Sequence, residues 1–405
     1  MSESCAADAA SPRYLLVAPC EPGECHIYYS QQRKTLPHAL ALASYTGRTL
    51  VLPPFEHYRN QAQTLTNAFR ATNDGRNPLF TRWSELFDFA RLRQHADVIE
   101  LHELPRDEGG AWSFGRAILS KGLGVPSETV AKRGTTKGDL AGIFGEGACH
   151  STGLFSNLSR FGGERAYDGA LYGGAVRLGE LRCGGLAFSR PSTWTGRPIA
   201  AADAAAAVGA WLGDAPAGAL FGVGHALHTH AAAAEHMQLA ERAVRPHPRL
   251  LSEARRFVRA ALDPSFAAAD DNEGYGVRGR YVAIHWRHGD YVDYNLVATA
   301  DRVVRAATGA LDELGCADCA VFLMTNHPNA TAVDELRTRL PTLVRYGSGD
   351  EEEAFEGEGE RLVVESAIAT HAEIFFGPGR SAVSQLIEAA RRAARPGAPA
   401  APRLL

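Results

Sequence analysis

The sequence predicts an α/β protein made of two Rossmann-like domains facing a cleft, and three observations carry that expectation. The final third alternates apolar strand and helical segments in four successive pairs with short connections. Such alternation specifies a parallel sheet with crossover helices. The N-terminal region opens the same way, with "YLLVAP", a helical stretch and "TLVLPP". Finally, 405 residues are too many for one hydrophobic core of ordinary size. The boundaries that follow are 13–245 for an N-terminal domain with long Gly-rich insertions and 246–395 for a C-terminal domain.

In chain order, the buried strand "YLLVAP" leads into a polar loop, a helix over "LPHALALASYTG" and the strand "TLVLPP". Residues 106 to 200 are rich in Gly, Ser and Arg with little periodicity, and read as long loops of the first domain. "AADAAAAVGAWLG" is an Ala-rich helix, and "RLLSEARRFVRAAL" (249–262) is a helix that opens the second domain. The strand at 281–286 begins with the apolar run Tyr281, Val282, Ala283, Ile284, which suits a strand covered on both faces. A helix over "LVATADRVVRAATGALDEL" follows, then a strand from Ala320 to Thr325 and a helix over "ATAVDELRTRL". The strand "TLVRY", a helix near "RLVVESAIATHA", the strand "EIFFG" and the helix "SAVSQLIEAARRAA" complete the series.

The ends of these strands are polar. "RYVAIHWRHGDY" stops abruptly in His285, Arg287 and Asp290, and ligands of open parallel sheets bind just beyond the carboxyl ends of the strands. A solvated strand end with a surface salt bridge is the alternative. Thr325-Asn326, Tyr346-Gly347-Ser348 and the segment from Gly377 to Ser381 repeat the pattern, so four strands direct polar groups to one edge. A nucleoside diphosphate needs dense positive charge and N–H donors. Arg287 at a strand end, and Ser381 opening a helix after Gly377 and Gly379, answer that need. The chain has no G-x-x-x-x-G-K-[ST] loop and no G-x-G-x-x-G after its first strand, which argues against P-loop phosphoryl transfer and weakens a nicotinamide cofactor. Two such domains without either fingerprint suit an enzyme that uses a nucleotide sugar.

Composition bounds the partners. Hydrophobic content of 45% and charged content of 22% are those of a globular protein. A net charge of −4 without a Lys/Arg-rich run gives no general affinity for nucleic acid. No stretch is long and apolar enough to span a bilayer, and "MSESCAADAASPRYLL" lacks the basic start and apolar centre of a signal peptide. Taken literally, that start implies the cytosol. Nothing implies an obligate oligomer, and a monomer is expected.

Seven cysteines cannot all pair internally. Cys316 and Cys319 form a lone C-x-x-C that reads as a turn entering a strand, with no second pair to complete a zinc site. His225, His228 and His230 do not have the spacing of a recognised ligand set, and no metal is expected. Cys25 and His26 lack an indicated third residue to orient them as a nucleophilic pair. The sequons at Asn157 and Asn329 matter only if the chain enters the secretory route.

The residues resemble the GDP-fucose protein O-fucosyltransferases. At the N-terminal end the resemblance runs through "RYLLVAPC", "YYSQQ", "ALASYTGRTLVLPPFEHYR" and "TRWSELFDFARLRQHADVIELHEL". At the C-terminal end it covers "AEHMQLAERAVRP", the His-x-Arg at 285–287 and "ATHAEIFFGPGRSAVSQLI". Together these pieces cover about half the chain, in order.

The resemblance implies a GT-B type glycosyltransferase that transfers fucose from GDP-fucose to Ser or Thr of a protein, in the lumen of the endoplasmic reticulum. Arg287 matches the family's essential arginine on the diphosphate and glycosidic oxygen. His285 and Asp290 match positions lining the nucleotide site, although the family has another residue between Gly and Asp. Asn326 belongs to the same ligand edge. Glu365 falls where the family has an aspartate that accepts from guanine N–H groups. Ser381, Ala382 and Val383 match a Ser-Ser-Phe stretch, so a serine and an aromatic are lost. Gln31 stands in the equivalent of a Gly-Asn-Gln loop, keeping an amide that is one carbon longer. One branch of the family deprotonates the acceptor with a glutamate of the first loop, for which "CEPGECHIYYSQQ" offers Glu21 or Glu24. The other branch lacks an obvious carboxylate, and a solvated loop carboxylate is the alternative for each. No cofactor and no obligatory metal are implied. Two alternatives stay open: a non-catalytic nucleotide- or glycan-binding relative, and a transferase using another nucleotide sugar.

Overall fold

In a computed structural model the structure describes residues 12–19, 29–56, 80–120, 176–184, 201–221, 233–266, 277–288, 291–292, 295–347, 358–394 and 403–405. The chain divides into two compact units, Met1–Trp83 with Leu92–Ala240 and Ser84–Arg91 with Glu241–Leu405. Among the described residues no helix is long and apolar enough to cross a membrane.

The first unit begins with β1 (Tyr14–Ala18), whose Leu15, Leu16, Val17 and Ala18 are all buried. The short α1 (Tyr29–Lys34) follows, then α2 (Leu36–Tyr45) and β2 (Thr49–Leu52). Proline in the first turn of α2 suits a helix start, because the missing N–H would have no intrahelical partner there. Gly47, at φ +60, takes the left-handed turn after the helix. Next come the antiparallel pair β3 (Phe55–Glu56) and β4 (Phe80–Thr81), then α3 (Trp83–Leu86) and α4 (Phe89–His95), which enter and leave the second unit's Ser84–Arg91 segment, and β5 (Val98–Glu100). The unit continues with β6 (Trp112–Ser120), β7 (Val176–Gly184), α5 (Ala201–Leu212), β8 (Ala217–Phe221) and α6 (Ala233–Ala243), which crosses the unit boundary. Its six-stranded sheet runs β5-β2-β1-β8-β6-β7, parallel at every pairing.

Two expectations change here. "YYSQQ", expected as a loop, is helical from Tyr29 onward. The Gly-rich region, expected as loops, contributes β6 and β7, nine residues each. Trp112 and Phe114 are buried in the core two residues apart on β6, the spacing of one strand face, and Ala117 is buried further along the strand. Gly115 and Gly179 lie between the paired positions Phe114–Leu178 and Arg116–Glu180, where the backbones crowd. A Cβ on Gly179 would stand 3.0 Å from the carbonyl carbon of Gly115.

The second unit opens with α7 (Pro248–Phe257), continued by a π-helical turn at Val258–Leu262. Then follow β9 (Gly279–Trp286), α8 (Ala300–Glu313), β10 (Val321–Thr325), α9 (Ala330–Arg339) and β11 (Leu343–Val344). The unit ends with α10 (Glu358–His371), β12 (Ala372–Gly377), α11 (Ala382–Ala394) and β13 (Arg403–Leu404). The sheet order is β11-β10-β9-β12-β13, again all parallel. β13 adds a fifth strand to the four expected from the sequence.

β9 is central, and Tyr281 to Ile284 have no exposed surface, as its unbroken apolar run requires. Tyr281 keeps its hydroxyl satisfied by donating to Ile368 O of α10 at 2.6 Å. Thr299 and Asn329 cap α8 and α9 by accepting backbone N–H groups through their side chains. Residues 84–91 join this unit through backbone bonds: Asp88 N–H donates to Arg245 O (2.9 Å) and His247 N–H to Leu86 O (2.8 Å). Cys316 and Cys319 form a disulfide in the turn between α8 and β10.

Candidate functional site

Because β9, β10 and β12 are parallel, the residues that follow them emerge at one edge. Arg287 follows β9 directly, Asn326 follows β10, and Ser381 follows β12 after Pro378, Gly379 and Arg380. Three crossover connections thus deliver a guanidinium, an amide and a hydroxyl to the same rim.

His285 is the next-to-last residue of β9 and is buried. Its Nδ1 lies 2.9 Å from Ser384 Oγ of α11. Burial, and then the charge of Arg287, push its pKa down to about 3, so the imidazole is neutral across the physiological range. Arg287 itself is half-buried, with its guanidinium carbon 5.9 Å from the ring centroid of Tyr291.

The backbone around Arg287 is tied to β10. Thr325 Oγ1 donates to Trp286 O (2.6 Å), and His288 N–H donates to Asn326 Oδ1 (2.8 Å). The side chain of Asn326 is therefore used to hold the turn that carries Arg287. Trp286 donates through Nε1 to Ala298 O (2.8 Å) and stacks on His327 at 4.6 Å between centroids. His327 also lies 4.1 Å from the His288 ring. Burial first, and then His288, hold the His327 pKa below its ordinary value. These anchors fix the backbone on both sides of Arg287 and so the point from which its side chain leaves the strand.

Ser381 sits immediately before α11 and is buried. Its backbone is pinned from both sides, with Ser381 N–H donating to Pro378 O and Gln385 N–H donating to Ser381 O, each at 3.0 Å. Ala382 and Val383 begin the helix, so their backbone N–H groups belong to its first turn, where intrahelical acceptors are lacking. The positive end of α11 thus supplies N–H donors and partial charge for an anion at this rim.

Glu365 lies on α10 and is buried. Arg361, one turn earlier, donates through Nε to Glu365 Oε1 at 3.4 Å and through Nη2 to Tyr346 O, just past β11, at 3.2 Å. That bond brings the pair to the same edge of the sheet. Burial raises the Glu365 pKa to about 7 despite the nearby charges of Arg361 and Arg345. Arg361 was not foreseen, although its i,i+4 spacing from Glu365 on a helical segment is a readable signal.

Gln31 falls in α1, with its side chain outside the described residues. Glu21, Glu24 and Asp290 lie outside the described residues, as do Cys25, His26, Ser348, Asn157 and the histidines at 225, 228 and 230. Among the described residues no group of three or more His, Cys, Asp or Glu side chains could hold a metal ion.

A family model described as GDP-fucose protein O-fucosyltransferase matches residues 14–394. The chain belongs to this family. No curated protein matches the sequence significantly. Among solved structures, POFUT1 in complex with GDP-fucose is similar at a TM-score of 0.55 and 15% identity, covering 98% of this chain and 99% of that one. POFUT1 in complex with GDP matches at a TM-score of 0.56 and 15% identity, over 98% and 99% of the two chains. The α/β architecture, with a parallel sheet in each unit, is that of a GT-B fucosyltransferase fold. Within this O-fucosyltransferase framework the site residues missed by sequence reasoning are Ser384, His288, His327 and Arg361. Ser384 sits on the buried face of an amphipathic helix, where a small polar residue gives no periodic signal.

Proposed function

We propose that this chain is an inverting glycosyltransferase that moves fucose from GDP-fucose to a Ser or Thr hydroxyl of a protein. The observation that carries the reading is the convergence of Arg287, His285 and Ser381 on one parallel sheet edge in a chain of this family. The acceptor oxygen attacks the anomeric carbon of fucose from the face opposite the phosphate. The carbon–oxygen bond to the diphosphate breaks, and GDP leaves with the bonding electrons. Arg287 neutralises charge as it develops on the departing oxygen, in a site prepared before the reaction starts. The N-terminus of α11 holds the diphosphate, and Glu365 accepts N–H groups of guanine. Arginine and the helix supply the positive charge that the leaving group needs, so the reading routes no step through a metal ion.

Glu21 or Glu24 is the base in this scheme, taking the proton of the acceptor hydroxyl. An endoplasmic reticulum lumenal setting belongs to the same reading, and the Cys316–Cys319 disulfide supports it because such bonds persist in oxidising compartments.

The test is to incubate the full chain with GDP-fucose, GDP-mannose or UDP-sugars and candidate acceptor proteins, following GDP release and acceptor mass. Fucose transfer from GDP-fucose alone is expected. Transfer from another donor would replace the sugar assignment. A second reading, a non-catalytic nucleotide-binding relative, is favoured by Ala382 and Val383 in place of a serine and an aromatic. GDP binding without transfer to any acceptor would select it.

A further inference from the structure

The way His285 is held points to a residue that acts on the donor through another. Ser384 has no exposed surface and reaches the His285 ring from the first turn of α11. That reach depends on Gly377. In the register of β12 against β9, Phe376 pairs with Ile284, which puts Gly377 alongside His285. A Cβ on Gly377 would stand 3.0 Å from Ser384 Cβ and closer still to its hydroxyl oxygen. Only a residue without a side chain lets the helix come this near the strand.

A neutral imidazole carries one N–H and one lone pair, and the serine hydroxyl can either donate to or accept from Nδ1. The two arrangements present opposite faces to a ligand. With Ser384 donating to Nδ1, the proton is on Nε2, which then donates to an anionic oxygen. With Ser384 accepting, Nε2 presents a lone pair that repels the same oxygen. Burial beside the Arg287 charge keeps the ring from resolving the conflict by taking a second proton.

We propose that Ser384 is a positioning residue that holds His285 as the Nε2–H tautomer, making it an uncharged donor to the diphosphate of the sugar nucleotide. The proposal rests on the donor reading above. Division of labour follows: Arg287 brings the full charge, while His285 adds direction at no electrostatic cost to its neighbour. Gly377 is the condition that lets Ser384 perform this role.

The experiment uses the full chain labelled with 15N-histidine, with the His285 signals assigned by a His285→Gln spectrum. The expected result for the ligand-free chain is a protonated Nε2 and an unprotonated Nδ1, with the Nε2–H signal shifting when GDP is added. Ser384→Ala should lose the single tautomer and weaken GDP by about tenfold to a hundredfold, the range for a lost hydrogen bond to a charged group. Guanosine, which lacks the phosphates, should bind parent and variant alike. A parent chain with its proton on Nδ1 would overturn the proposal, as would Ser384→Ala with unchanged tautomer and GDP affinity. Should the variant fail to fold, the parent spectrum decides, because an Nε2–H signal indifferent to bound GDP is equally fatal. A parent that binds no GDP would instead remove the donor reading on which the role depends.

Discussion

At the scale of single residues, Arg287 and Glu365 make separable predictions. Arg287→Lys keeps a positive charge at the end of β9 but loses the planar fork that holds two oxygens at once. GDP affinity should change little, while turnover falls by about a hundredfold to a thousandfold, as for loss of one preorganised donor. Single-turnover transfer alongside calorimetric GDP binding separates the two effects, and transfer at the parent rate would end the leaving-group role. Glu365 titrates where it matters, because burial raises its pKa to about 7. An acid whose folded pKa is raised binds more protons folded than unfolded, so its contribution to stability declines as pH climbs from the ordinary carboxylate range through about 7. Over the same window the ionised form grows, and only that form accepts two guanine N–H groups. Guanosine affinity should therefore rise across neutral pH while intrinsic stability falls, and Glu365→Gln should flatten both profiles. Guanosine is the right probe because it removes the phosphates' own titration, and His285, neutral down to about 3, adds nothing in this range. An affinity profile that stays steep in Glu365→Gln would mean that another group reads the base.

At the scale of elements, the end of the second sheet opposite the ligand rim is held by how helices meet strands. Arg391 of α11 donates to Ala369 O and Thr370 O at 3.3 Å, in the last turn of α10, and to Ala372 O (2.5 Å) and Glu373 O (3.0 Å) at the start of β12. One guanidinium thus satisfies carbonyls at the α10 C-terminus, where a cation is also favoured by the helix dipole. Arg391→Leu should lower unfolding free energy by about 1.5–3 kcal/mol, the range for hydrogen bonds to a charged group. Urea denaturation would measure it, and a loss below about 0.5 kcal/mol would show that water replaces the guanidinium without penalty. The elements of this second unit were legible because each apolar run was bounded by turn residues and followed by a helix-period segment. β6 and β7 were not. Trp112 and Phe114 keep an alternating face, but Gly115 and Gly179 interrupt the β-branched and aromatic content by which strands are usually read. Gly179 is there because a Cβ at that position would strike the Gly115 backbone, and sequence spacing does not reveal that pairing. Gly377 hides its reason similarly: it is visible as a turn glycine, yet its use is the approach of Ser384.

At the scale of the whole molecule, the described donor-side groups belong to one unit. His285, Arg287, Asn326, Glu365 and Ser381 all fall within Glu241–Leu405, which also takes in Ser84–Arg91. A ligand that binds only the folded form stabilises it by mass action, about 2.7 kcal/mol at a hundred times Kd. GDP should therefore protect that unit first. In amide hydrogen exchange, added GDP is expected to slow exchange in β9, β10, β12 and the first turn of α11. The 84–91 segment should follow them, because its backbone is bonded to Arg245 and His247 of the same unit. The sheet of the first unit, β5-β2-β1-β8-β6-β7, should change less. UDP at the same multiple of the GDP Kd should produce little protection if Glu365 selects guanine. Protection confined to the first unit would place the nucleotide away from Arg287. Equal protection by UDP would leave the sheet edge as a diphosphate site with no preference for the base, and the GDP-fucose assignment would lose its footing.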